Sequence, residues 1–304
     1  MNGTLYTSEN WPPLSYEDFA PTQRLLHMIL QVMGKLKLAE PFHAQWAEVI
    51  LELSARGLTT GPIPYAQGVY EVRLDCIAHR LHWDSSTGET GEITLGPTSV
   101  AAVTTELLSQ LNNAGIPARI DMMPQEVPDK TPFDKDKTER PYDRALVNAW
   151  WRILLSVQRV LFRFQGRFAG KTQPIGLMWG TMDIRLPLYS GRPAKPAPDA
   201  GFIRRNAMNA ELMEMGWWSG DPSHAQPAFY AFTYPEPKGI GQEKIAPDAA
   251  GWSAKMDEFV LDYDALRRLP DPDAALMSFW ETTYDAGART GNWPKELLGS
   301  GKPS

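Results

Sequence analysis

Between Pro21 and Leu38 the apolar residues Leu25, Leu26, Ile29, Val32, Met33 and Leu36 recur at the spacing of one helical face, and Pro21 suits the opening of that helix. Over residues 48–54 the pattern changes to alternation, with Val49, Leu51 and Leu53 set against Ile50 and Glu52. Residues 69–83 continue in β-favouring side chains, so strands are predicted on both sides of a Gly/Pro-rich turn at 57–64. A polar hairpin at 85–91 then leads to a short strand at 93–95. A helix follows, with Val100, Val103, Leu107, Leu108 and Leu111 inward and Pro97 and Ser99 at its start. Residues 118–123 read as one more strand.

Residues 124–142 are rich in Pro, Asp and Lys and have no period, which marks a boundary. Beyond it Leu146, Trp150, Ile153, Leu154, Val157, Leu161, Phe164 and Phe168 form one stripe of a helix, while Arg152, Arg159 and Arg163 lie off it. The helix is expected to end at Gly170-Lys171. Strands are predicted at 175–188, 228–234 and 258–262, and a last helix carries Leu276, Phe279, Trp280 and Tyr284. Both parts thus run helix, strands, short strand, helix. The predicted fold is α+β, an internal duplication of a helix–antiparallel strands–helix unit, giving two sheets with packed helices. The expected division is a first half at 1–123, a linker at 124–143, a second half at 144–293 and a flexible tail at 294–304.

Composition narrows the function classes. With 304 residues, 43% hydrophobic and 22% charged, the chain has the makeup of a globular protein with a substantial core. A net charge of -6 and the lack of any Lys/Arg run argue against nucleic acid as a partner. The arginines within residues 145–168 argue against a membrane span. One cysteine, Cys76, and an amino-terminal stretch at 1–13 without a basic-then-apolar order fit a cytoplasmic setting.

The motifs of common chemistry are missing. Residues 165–172 end in Gly-Lys-Thr, but the first position of the phosphate-loop spacing is Gln165 and the segment closes a helix rather than opening one. Gly170 is therefore read as a helix cap, with Lys171 favoured by the helix dipole. Gly239-Ile240-Gly241 lacks the third glycine of a dinucleotide fingerprint. No nucleophile elbow is present, and Cys76 reads as a buried structural thiol. His79 and His82, three apart on a predicted strand, point to opposite faces, and no metal or cofactor is expected. His27 among apolar helix residues reads first as a core histidine, and His43 and His224 as exposed loop residues. Trp179, Asp183, Arg185 and Arg192 share one strand-and-turn. Surface ion pairing is the plain interpretation; the sharper one is an aromatic-walled cleft whose arginine holds an anionic small molecule.

Longer words carry a family resemblance: Trp11-Pro12, Leu26-His27 through Gln31 to Gly34-Lys35, Arg56 within residues 55–60, Pro62-Ile63-Pro64, Asp75 with His79-Arg80-Leu81, Trp179-Gly180 with Asp183, Ser190-Gly191-Arg192, and Pro227-Ala228-Phe229-Tyr230. On these the chain resembles a bacterial family of unknown function, domain-of-unknown-function family 5996, from Trp11 to about Trp293. Four histidines of the family pattern are replaced, by Gln45, Glu139, Gly176 and Ala210, while Glu211 is retained. Any metal or proton-transfer site those histidines form in relatives is lost here.

Two functions follow as expectations. The first is a small-molecule-binding protein or divergent enzyme with its pocket between the two halves: His27 or Glu211 as general acid or base, Trp179 as a wall, Arg192 holding an anion, and Gln31, Arg56 and Asp183 completing the binding site. The second is a non-catalytic interaction or regulatory protein presenting an aromatic loop at 216–220.

Overall fold

A computed structural model of the chain describes residues 9–299. The expectations placed on residues 1–8 and on the last five residues of the tail lie outside the described residues. The first long helix, α1 (Tyr16–Lys37), starts five residues before Pro21, because the Ser15 hydroxyl accepts the Asp18 amide at 3.1 Å and so caps an earlier start. Pro21 therefore lies inside the helix instead of opening it. After α1 come β1 (Ile50–Ser54), β2 (Gly57–Thr59), β3 (Ile63–Tyr65), β4 (Gly68–Asp75), β5 (Arg80–Ser85) and β6 (Thr90–Thr94), then α2 (Val100–Asn113), capped by Ser99 as expected.

Residues 118–123 do not form a strand. Their polar backbone finds other partners: the Ala118 carbonyl accepts the Asn112 side chain at 3.1 Å and the Met122 carbonyl accepts the Phe133 amide at 2.9 Å. The second half opens with α3 (Arg144–Gln165), whose first turn is held by Asp143 through the amides of Ala145 and Leu146. Its C-cap is Gly166, not Gly170. The Gly-Lys-Thr segment instead feeds the two-residue β7 (Lys171–Thr172), which pairs with β9. There follow β8 (Gly176–Met178), β9 (Asp183–Pro193), the short α4 (Phe202–Ala207), β10 (Ala210–Trp218), β11 (Ala228–Tyr234), β12 (Gly251–Ser253), β13 (Glu258–Asp262), α5 (Tyr263–Arg267) and α6 (Pro272–Thr290). Residues 294–299, expected as tail, are tied back to the end of α3 by Ala169 N to Leu297 O at 2.8 Å and Gly299 N to Arg167 O at 2.9 Å.

The architecture is a mixture of helices and antiparallel strands, an α+β fold, but its strands form one sheet where two were expected. Their order is β12-β13-β11-β10-β9-β8-β1-β2-β4-β5-β6, with β3 attached to β4 and β7 to β9. The join is the antiparallel pair β1–β8, Ile50 opposite Met178 and Leu51 opposite Leu177. Each of these strands would otherwise present an unpaired edge, and pairing them satisfies both.

On β9, β10, β11 and β13 the two faces of the sheet differ in chemistry. Register places Ile184, Leu186, Met213, Met215, Trp217, Phe229, Phe259 and Leu261 on one face, all buried under α3 and α6. The alternate positions, Asp183, Arg185, Glu214, Gly216, Trp218, Tyr230, Phe232 and Glu258, share the other face.

Helix α1 is tied to the strand ends by Gln23, which donates to Gly220 O at 3.0 Å, and by Lys37, which donates to Thr60 O, and it approaches the sheet closely at a third point. The ring of Trp179, in the turn between β8 and β9, lies on Gly34, where a Cβ would sit 2.1 Å from the ring Cγ. Gly34→Val should therefore destabilise the protein by about 1–3 kcal/mol through forced repacking. Gly96→Ala, where added Cβ atoms meet nothing within 4 Å, should stay within about 0.5 kcal/mol of the parent. Urea unfolding of the two variants checks this, and equal losses would show that the close approach at Gly34 is not a constraint.

Candidate functional site

The polar sheet face and α1 enclose a cavity of about 980 Å³, with residues 124–131 and 220–223 completing its lining. Helix α1 contributes Tyr16, Ala20, Gln23, Arg24, His27 and Met28, which recur every three or four residues along one face. The sheet contributes Asp183, Glu214, Trp218, Tyr230, Phe232 and Glu258. The lining thus draws on both sides of the boundary expected at 124–143.

Several local features set these side chains. Gly216 lies opposite Tyr230 in the register, and a Cβ there would stand 2.7 Å from the Tyr230 hydroxyl. Its bare backbone lets the Tyr230 ring cross β10 so that the hydroxyl donates to Asp183 Oδ2 at 2.5 Å. The other Asp183 oxygen accepts from the Thr181 hydroxyl. Met182, between them, has φ 62, and Glu126 on the facing segment has φ 54; both are uncommon for side chains with a Cβ. The Glu126 carboxylate lies over Gly180, where a Cβ would be 2.2 Å from Oε2. Non-glycine backbone held in this region tends to accompany functional sites.

His27 Nε2 points to two carbonyls, Gly180 O at 2.9 Å and Trp179 O at 3.1 Å. Both can only accept, so Nε2 carries the proton and Nδ1 keeps the lone pair. One turn on, Gln31 braces residue 125: its Oε1 accepts the Gln125 amide at 2.9 Å and its Nε2 donates to the Gln125 carbonyl at 2.7 Å.

The electrostatics of the lining are one-sided. Seven carboxyl groups, Glu126, Asp129, Asp136, Asp183, Glu214, Asp221 and Glu258, line it with one guanidinium, Arg24, which is paired with Asp129, while Arg140 pairs with Asp136 and Arg185 with Glu214 from outside the lining. Burial pushes Glu214 up to about 7, a rise opposed by Arg185 with Nε 3.5 Å away and reinforced by Asp183. Glu258 is likewise pushed up to about 7, by burial and then by the charges of Asp183 and Glu214. Burial also raises Glu126 and Asp183, the latter against hydrogen bonds from Thr181 and Tyr230. His27 moves the other way, down to about 4, because burial disfavours its cation. At neutral pH the site therefore holds a neutral imidazole beside carboxyl groups poised to ionise. Among the described residues no group of three or more His, Cys, Asp or Glu side chains is arranged to hold a metal ion.

Of the residues singled out from the sequence, His27 and Asp183 meet in the cavity. Trp179 and Gln31 stand behind it as supports, Trp179 through its ring on Gly34 and its carbonyl on His27. The rest lie elsewhere. Arg192 and Glu211 pair with each other at 2.7 Å, and Arg192 also caps α6 by donating to Gly291 O at 2.8 Å and Asn292 O at 3.3 Å. Ser190 Oγ donates to the same Glu211 oxygen at 2.8 Å. Nine residues of extended β9 separate Arg192 from Asp183, about 30 Å. Arg56 is exposed and bound to Asp75 at 2.6 Å. The replaced positions have separate surroundings: Gln45 bonds Asn209 at 3.0 Å, Glu139 adjoins the Thr98–Arg140 bridge, Gly176 packs on Ile50, and Ala210 opens β10.

Sequence reasoning missed Glu214, Glu258, Glu126 and Arg24 as site residues. For Glu214 and Glu258 the signal is strand alternation opposite a largely apolar face, legible for Glu214 only once β10 is recognised as a strand; Arg24 lies on the α1 face that carries His27, and Glu126 in a segment without a period. The segment taken as an aromatic loop, 216–220, begins inside β10, and its Trp217 and Trp218 are buried.

No curated protein and no solved structure matches the chain. A family model does, the one described as a family of unknown function, DUF5996, over residues 11–300. That span takes in the β1–β8 join, the Trp179 contact and every cavity-lining side chain, and on it the chain belongs to the DUF5996 family.

Proposed function

We propose that the protein binds a small organic cation, an amine or quaternary ammonium compound, in the cavity between α1 and the sheet. The observation that carries this reading is the group of four lining carboxyls, Glu126, Asp183, Asp221 and Glu258, that have no ion-pair partner among the described residues, set beside a wall formed by Trp218, Tyr230, Phe232 and Tyr16. Aromatic faces and desolvated carboxylates are the two surfaces that attract an organic cation. The arginines that favoured an anionic ligand are engaged otherwise, Arg192 by Glu211 and Arg185 by Glu214. A presenting surface of exposed tryptophans finds no support, since Trp217 and Trp218 are covered. Glu214 and Glu258, raised toward neutrality in the same cavity lining, also suit proton transfer to or from such a ligand.

We further propose that the two halves are copies of one unit. Each runs a 22-residue helix, an antiparallel meander and a closing helix, and the meanders meet at their first full strands, β1 and β8. The lone Cys76, buried with its thiol pushed up by burial, fits a reducing cytoplasm.

Calorimetric titration with aryl- and alkylammonium compounds should give saturable binding, and the carboxylates of the same carbon skeletons should give none. Glu214→Gln should weaken the ammonium binding about tenfold by removing one desolvated charge. Preference for the carboxylates, or an unchanged affinity in Glu214→Gln, would refute the assignment.

The carboxyl shifts also fix a pH dependence. Glu214 and Glu258 titrate near 4.5 when unfolded and near 7 when folded, so the folded state holds the extra protons between these values. The stability this confers is lost as pH rises through about 7. His27 and His79, lowered to about 4, act oppositely, but their contribution is complete above the unfolded value of 6.5. From pH 6.5 to 8 the ligand-free melting temperature should therefore fall, and ammonium affinity should rise as the carboxyls ionise. Replacing both glutamates by glutamine should flatten both trends. A flat profile in the unsubstituted protein would show that these groups do not titrate there.

A further inference from the structure

A second, open hollow of about 490 Å³ adjoins the cavity and shares Arg24, Asp129, Thr131 and Asp136 with it. Its chemistry is different. Besides the shared residues it is lined by Lys135, Arg140 and the Thr138 hydroxyl, so three cations face two carboxylates. The buried Arg140 is neutralised by a two-pronged contact to Asp136, at 3.0 and 2.8 Å. Arg24 and Lys135 differ from it. Both side chains are largely exposed, at 56% and 70%, and are held only by single contacts to Asp129 and Asp134. Exposed pairs of this kind contribute little and exchange readily for a better partner.

Arg24 stands where the two hollows meet, one helical turn before His27 on the cavity face of α1. A ligand whose ammonium group is drawn to Asp183, Glu214 and Glu258 and whose chain extends toward residue 24 would pass from a strongly acidic compartment to a rim where Arg24 and Lys135 are exposed and singly paired. We propose that the ligand carries charge at both ends, an amine for the deep acidic cavity and a carboxylate or phosphate for the rim at Arg24 and Lys135. This rests on the cation-binding reading above and adds the second anchor. Guanidinium suits the outer position because its forked donors match a carboxylate or a phosphate in two-point contact. The four shared lining residues make the two compartments neighbours, with Arg24 at their boundary within reach of both.

The test is calorimetry on the full chain with a homologous series of α,ω-amino acids, the alkylamines of equal length and the α,ω-diamines, followed by the ω-aminoalkyl phosphates to separate the two anion types. At the chain length that spans both hollows, the amino acid or aminoalkyl phosphate should bind about three- to tenfold more tightly than the amine, in keeping with an exposed ion pair. Arg24→Ala should shrink that difference. Arg24→Glu should reverse the order so that the diamine binds best, and Lys135→Glu should move it in the same direction. Both side chains are exposed, so circular dichroism of the variants should match the parent. Amines that bind with no gain from the terminal anion at any length, or a gain that survives Arg24→Glu, would overturn the second anchor and leave the cation site standing. Absence of any amine binding would overturn both.

Discussion

The seating of α1 on the Trp179–Gly180 turn is the contact on which the site depends. Gly34 allows the indole to reach the helix backbone, and the two turns before it supply Gln31 and His27 on the same face. Those residues bond to Gln125 and to the turn's own carbonyls. A single helix face therefore fixes its own distance from the sheet, the course of the 124–131 segment, and the tautomer of the one histidine in the cavity. Moving the helix outward would break all of these together. Buried backbone carbonyls and a buried glutamine lose more by being unpaired than they gain by being paired, so the arrangement resists partial opening.

The sheet imposes the complementary constraint. Strand alternation sends every second side chain to the opposite face, so β9, β10, β11 and β13 can be largely apolar toward α3 and α6 while collecting carboxyls and aromatics toward α1. Gathering Asp183, Glu214 and Glu258 on one desolvated face is unfavourable for each of them, as their raised proton affinities record. Burial of Trp150, Trp217, Trp280 and Phe229 on the other side offsets that cost. Stabilising groups and strained groups occupy opposite faces of the same strands, a division common where a binding site works against the fold that carries it.

Much of this was legible in the chain. The helical stripes of α1, α2, α3 and α6 were plain, because apolar spacing over many residues is a strong signal. The strands β4, β5, β11 and β13 followed from β-rich composition. β10 escaped because Glu-Leu-Met-Glu-Met carries helix-favouring residues with no β-branched side chain, and only its two neighbours make it a strand. With β10 unseen, Glu214 had no place and Gly216 looked like part of a loop. Single-sheet continuity was hidden for a related reason: β8 is three residues long, too short to show a period, yet it joins the halves. His27 stood out on an apolar helix face and Asp183 beside Trp179 and two arginines, and a family resemblance marked both again. The same resemblance also marked Arg192, Glu211 and Arg56, which serve the far end of the sheet and a hairpin edge. Shared residues within a family record structural as well as ligand-contacting roles, and sequence alone does not separate them.

The charge pattern of the site can be followed through Tyr230. Its hydroxyl stays protonated, since burial and the adjacent carboxylates push its titration far up, so it remains a donor to Asp183 across the physiological range. Together with Thr181 it satisfies both Asp183 oxygens, while Arg185 faces Glu214 from 3.5 Å. Each ionisation on this face is resisted by the carboxylates already charged. A cation entering the cavity removes that resistance and stabilises the carboxylates in one step, which couples occupancy to proton release. The geometry that permits this is narrow: without the missing Cβ at Gly216 the Tyr230 ring could not cross the strand, and Asp183 would lose one of its two hydroxyl donors.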